Sequence, residues 1–156
     1  EMGQRFQSAM GSVRGSGGRA ARARFMAQGH AYVGFALEQP ERFAVMFGPY
    51  GAGAQAGTSP QGAGATMSNS VCDDHTLVED TPYASLSRVL DELLAAGVID
   101  SARRPGAELL AWSAIHGLAT LLVSQALKQT ALPVEAMVDR VGQDCLRALM
   151  APTKLV

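Results

Sequence analysis

The amino-acid sequence predicts an all-α domain. Three observations carry that prediction. Apolar residues recur at three- and four-residue spacing over most of the chain, helix-start and helix-stop residues separate those stripes, and no convincing run of alternating strand character occurs. With 156 residues, 47% of them hydrophobic and 17% charged, the chain can build one sizeable core without disulfides or metals.

The elements follow in order. Residues 1–13 carry Phe6, Met10 and Val13 near helical spacing, and the pattern stops at Gly15-Ser16-Gly17-Gly18. A helical pattern already under way at Glu1 reads as entry in mid-structure, as in one domain of a longer protein. A second helix is predicted from about Arg19 to Leu37 on Phe25, Met26, Tyr32, Val33 and Ala36, with Gly29 and Gly34 weakening it locally. Pro40 disfavours helical geometry in the residue before it, so the helix ends near Glu38. Pro40 then opens a short helix with Glu41 in its first turn, and Gly48-Pro49 closes it. Phe43, Met46 and Phe47 make those two turns so apolar that burial is expected.

Residues 51 to about 70 are rich in Gly, Ala, Ser and Gln and carry no charge, which reads as a mobile loop. Its glycines do not make a phosphate loop, because no strand precedes them and no Lys-Ser or Lys-Thr follows. Helix grammar resumes at Thr81, an N-cap, and Pro82, a first helical residue. Leu86, Val89, Leu90, Leu93 and Leu94 form a stripe, and Gly97 with Val98 predicts a Schellman stop. The next helix, about Gly106 to Lys128, is apolar nearly all round from Leu109 to Val123. One side can face the domain's own core, and the other needs a partner. The last helix, about Pro133 to Met150, carries Val134, Met137, Val138, Val141, Cys145 and Leu149 on one face, with Gly142 permitting close approach.

Charge and cysteine usage narrow the function classes. A formal net charge of −1 does not suit the domain as a whole to electrostatic nucleic-acid binding. Cys72 and Cys145 form no CxxC pair and read as reduced thiols of a cytosolic protein. No apolar run reaches the length of a membrane span, and no signal peptide pattern opens the chain. Cys72-Asp73-Asp74-His75 lacks a second ligand cluster and reads as a solvated acidic loop, so no metal or cofactor is expected. Arg14, Arg19, Arg22 and Arg24 read as a solvated helix face, or as residues near phosphates if a DNA-binding head precedes them. No Ser-His-acid spacing, HExxH or Glu-x-x-His pair points to an enzyme. Trp112 and His116 stand four apart on one helix face. His116 is either a ligand's hydrogen-bond partner or a satisfied core histidine, with Gly117 letting another helix cross closely.

The residues Trp112-Ser113-Ala114-Ile115-His116-Gly117-Leu118-Ala119 resemble the Trp-His-Gly signature of one class of C-terminal domains in the tetracycline-repressor (TetR) family of transcriptional regulators. The segment from His30 to Phe43 and the following Val45-Met46-Phe47-Gly48-Pro49 resemble the same class, as does the order of helices. The resemblance covers most of the chain outside the Gly/Ala-rich loop. It implies about six helices, the last two pairing with those of a second copy in a dimeric four-helix bundle. It further implies a small apolar or aromatic effector bound by Tyr32, Phe43, Met46, Phe47, Leu86, Leu90, Trp112 and His116. The dimer face it implies comprises Leu118, Leu122, Met137, Val141, Cys145 and Leu149. A helix-turn-helix domain, absent from this chain, would carry DNA binding and repressor activity in the parent protein. The alternative is a helical dimerisation scaffold that senses nothing.

Overall fold

The computed structural model describes residues 2–47 and 81–150; the Gly/Ala-rich segment and the Cys72–His75 cluster lie outside them. Among the described residues the chain is all-helical: α1 Met2–Gly11, α2 Gly18–Glu38, α3 Pro40–Phe47, α4 Pro82–Ala95, α5 Ala107–Val123 and α6 Val134–Leu149, with a short 3-10 turn at Ser101–Arg103. α2 is the central element and touches each of the other five helices.

Local chemistry sets most boundaries. Thr81 Oγ1 accepts the backbone N–H of Ala84 at 3.1 Å, and Pro82 follows, so α4 starts where a capped helix should. At its other end Gly97 takes a left-handed conformation, with φ +66°. The N–H groups of Gly97 and Val98 return to the carbonyls of Leu94 and Leu93, which is the Schellman pattern. α5 ends the same way without a glycine. Gln125 adopts φ +61°, and Gln125 and Ala126 donate to the carbonyls of Leu122 and Leu121. The helix therefore stops at Val123, five residues short of the predicted Lys128.

The buried residues form two clusters. One gathers Phe25, Val89, Leu90, Leu93, Ile99, Ala111, Cys145 and Leu149 from α2, α4, α5, α6 and the turn after α4. The other gathers Phe6, Tyr32, Phe35, Phe43, Leu118, Met137 and Val138 from α1, α2, α3, α5 and α6. Ion pairs tie the rim. Arg104 reaches Asp91 and Glu108, each at 2.7 Å, and so joins α4 to the start of α5. Arg24 pairs with Glu92 at 2.8 Å and also donates to the carbonyl of Gly15. Exposed partners such as Glu92 and Asp91 make such pairs contribute little individually, whereas the Arg104–Glu108 pair is mostly buried.

Three expectations need correction. α3 is not buried as a unit: Phe43 is buried and Phe47 half-buried, while Val45 and Met46 are exposed. Phe43 and Phe47 stand four residues apart, so an eight-residue helix docks that edge and turns the other outward. Second, the face assigned to a partner subunit is largely used by the chain itself. Leu118, Met137, Cys145 and Leu149 are buried within the monomer, Leu122 and Val141 half-buried. The apolar side chains that α5 turns outward are instead Leu109, Leu110 and Leu121. Third, Gly117 permits no close crossing inside this chain, since a Cβ there would meet nothing within 4 Å.

Candidate functional site

The centre of the site is Tyr32, in the second turn of α2 from its C-terminal end and only 3% exposed. Its phenol oxygen lies 2.8 Å from Nδ1 of His116 on α5. Around its ring stand Phe6, stacked at 6.3 Å, and Phe43 and Trp112, edge-on at 5.9 and 6.0 Å. Phe47 is tilted at 6.1 Å and approaches the His116 ring edge-on at 5.2 Å. Edge-on and offset arrangements place a ring's positive rim against a neighbour's negative face, which favours such clusters beyond their area alone.

Burial controls the protonation of the pair. It pushes the Tyr32 phenol well above its ordinary range and the His116 imidazole below its own. Both groups are therefore neutral near pH 7, and the histidine tautomer with its proton on Nε2 lets the phenol O–H donate to Nδ1. The unfolded chain takes up a proton at His116 that the folded chain resists. The stabilisation is complete above about pH 6.5, the ordinary histidine value, and is lost as pH falls from there toward the lower folded value. Thermal melts between pH 7.5 and 5 are expected to show Tm declining on acidification, with a shallower slope in His116→Gln. Equal slopes would assign the effect to other groups. Glu38 and Glu108, held below the ordinary carboxylate range partly by Arg5 and Arg104, lose their contribution only below about pH 4.3 and do not confuse that window.

Beside this cluster lies a cavity of about 50 Å³. Its walls come from Phe6 on α1, Phe25, Met26, Gln28 and Tyr32 on α2, Pro82 and Leu86 on α4, Trp112 and Ile115 on α5, and Val138, Val141 and Cys145 on α6. It sits at the junction of the two buried clusters, since Phe25, Ala111 and Cys145 belong to one and Phe6, Tyr32 and Val138 to the other. Met26 lies across Gly142, where an added Cβ would come 2.6 Å from the Met26 sulfur. The close approach anticipated at Gly142 thus places an adaptable thioether over the cavity wall.

The eight residues assigned to an effector separate into three groups. Tyr32, Leu86 and Trp112 line the cavity. Phe43, Phe47 and His116 form the aromatic cluster with Tyr32 and Trp112 but do not reach the cavity. Met46 points outward, and Leu90 is fully buried in the other cluster. Val141 and Cys145, assigned to the dimer face, stand in the cavity wall instead. Gln28 was missed, although a signal for it exists. Ala21, Phe25, Gln28, Tyr32 and Ala36 recur at three and four residues, which sets a polar side chain in a buried stripe.

The chain belongs to the family of tetracyclin repressor-like C-terminal domains, whose model matches residues 25–144. A solved structure, that of a protein with unknown function from Rhodococcus sp. RHA1, is similar to it at TM-score 0.65 and 27% identity, over 96% of this chain. The chain spans 66% of the length of that structure. No curated protein matches it. No helix among the described residues is long and apolar enough to cross a membrane.

Proposed function

We propose that this chain is the effector-sensing and dimerising domain of a cytoplasmic transcriptional regulator, acting by binding and not by catalysis. Its ligand is a small apolar or aromatic molecule held between α2, α4, α5 and α6. Occupancy favours one arrangement of the homodimer and thereby alters the DNA affinity of the parent protein. The observation that carries the reading is the apolar cavity at the junction of two packed clusters, walled by Trp112 and Tyr32. Family membership supports a regulatory role, and the Trp112–His116–Gly117 spelling supports the subclass.

A volume of about 50 Å³ admits only part of a ligand, since drug-sized sites run from roughly 300 to 1,000 Å³. Binding therefore requires the walls to yield, and Met26 is the side chain best suited to move, with three rotatable bonds and no polar partner to lose. Trp112 is the single tryptophan of the sequence and reports on the site directly. Titration with the neutral dye N-phenyl-1-naphthylamine is expected to give saturable binding at one dye per chain, with energy transfer from Trp112. Dye emission that rises without saturation, and without quenching Trp112, would leave the scaffold reading in its place.

A further inference from the structure

Gln28 is 5% exposed, and its amide is only half satisfied. Nε2 donates to Ser85 Oγ at 2.6 Å, and the Ser85 hydroxyl faces Met10 Sδ at 3.6 Å. Oε1 is buried and has no hydrogen-bond partner among the described residues. The same side chain lines the cavity. Buried acceptors in folded proteins are nearly always paired, so an unpaired one on a side chain that lines a cavity marks a place for a donor.

The other wall groups do not compete for that role. Among the described residues no Asp, Glu, Lys or Arg lines the cavity, so none of these wall groups compensates a ligand charge. The Tyr32 hydroxyl is engaged by His116. Burial pushes the Cys145 thiol up, which keeps it protonated and uncharged.

We infer that the effector is an uncharged, largely apolar molecule carrying one O–H or N–H donor, and that this donor pairs with Oε1 of Gln28. The inference rests on the sensing role proposed above and adds the chemistry of the ligand. A donor at this point fixes the orientation of an otherwise greasy molecule. It also discriminates strongly, because an analogue without the donor leaves the buried amide oxygen unpaired. Water can satisfy the same oxygen, in which case no such discrimination exists.

The test compares three neutral bicyclic probes of similar size by titration calorimetry: indole, with an N–H donor; benzothiophene, with neither donor nor strong acceptor; and quinoline, an acceptor. Wild-type protein is expected to bind indole at least roughly tenfold more tightly than benzothiophene, the worth of one well-made buried hydrogen bond. Gln28→Met, which keeps length and removes the acceptor, is expected to abolish that preference. Equal affinity of the wild-type protein for indole and benzothiophene overturns the inference whether or not the variant folds. A preference for quinoline overturns it too, by turning the amide N–H toward the ligand. If those results came with saturable dye binding, the sensing role would stand and only the donor assignment would fall. If neither dye nor probes bound, both would fall.

Discussion

Replacing Tyr32 with alanine is expected to lower the stability of the domain by about 3–5 kcal/mol, as for other large aromatic truncations in a packed core. Four aromatic side chains and His116 lose their common neighbour at once, and they come from α1, α3 and α5. At this chain length each kcal/mol moves Tm by roughly 2–4 °C, so a fall of roughly 6–20 °C is anticipated. Tyr32→Phe separates packing from hydrogen bonding. It keeps the ring and leaves His116 Nδ1 without its phenol, at a cost of about 1 kcal/mol, because the imidazole is only half-buried. Denaturant midpoints of the three proteins measure both quantities. Equal losses for Phe and Ala would show that the hydroxyl, and not the ring, holds the site together.

The second large effect concerns assembly. Leu110 and Leu121 on α5 are 41% and 45% exposed, and Gly117 between them has open space where a Cβ would be. At about 100° per residue the three lie within roughly 20° of one line along the helix, over about 16 Å. The line joins two apolar anchors through a position where another backbone can approach closely. If the domain dimerises through α5, the double variant Leu110→Glu, Leu121→Glu places four carboxylates in the dimer interface. Its dissociation constant is expected to rise at least about a hundredfold. Sedimentation velocity at micromolar concentration should then find a wild-type dimer and a variant monomer, with unchanged helical content. A wild-type protein that sediments as a monomer would remove the dimerisation half of the proposed function.

The fold was legible because its punctuation is written in residue types with strong backbone preferences. Thr81-Pro82, Gly97, Pro40 and the glycines after α1 all do in space what their chemistry demands. The end of α5 was not legible. A left-handed stop normally shows as glycine, and here Gln125 occupies it, so the apolar pattern alone ran on to Lys128. An apolar pocket was legible in outline, but only Tyr32, Leu86 and Trp112 of the residues assigned to it line the cavity. Periodicity tells which face of a helix is buried, and it does not tell whether the facing helix is a neighbour or a second copy. Val141 and Cys145 therefore read as an interface, and within one chain they line the cavity. Met46 is exposed for a related reason: a short helix can bury one edge only, and four residues of spacing favour Phe43 and Phe47.

The cavity at the junction of the two clusters also bears on how the domain deforms. Wall atoms facing a void lack dispersion partners on one side, so relative displacement of the two packed halves meets least resistance there. α2, α5 and α6 run through both halves, whereas α4 is committed to one and α3 to the other. The motion expected to cost least is thus a small displacement of the α4 end against the α3 end, at whatever angle the three shared helices allow. An occupant wedged at the seam would stiffen that motion and select one angle, turning the binding of a few atoms into a displacement of whole helices.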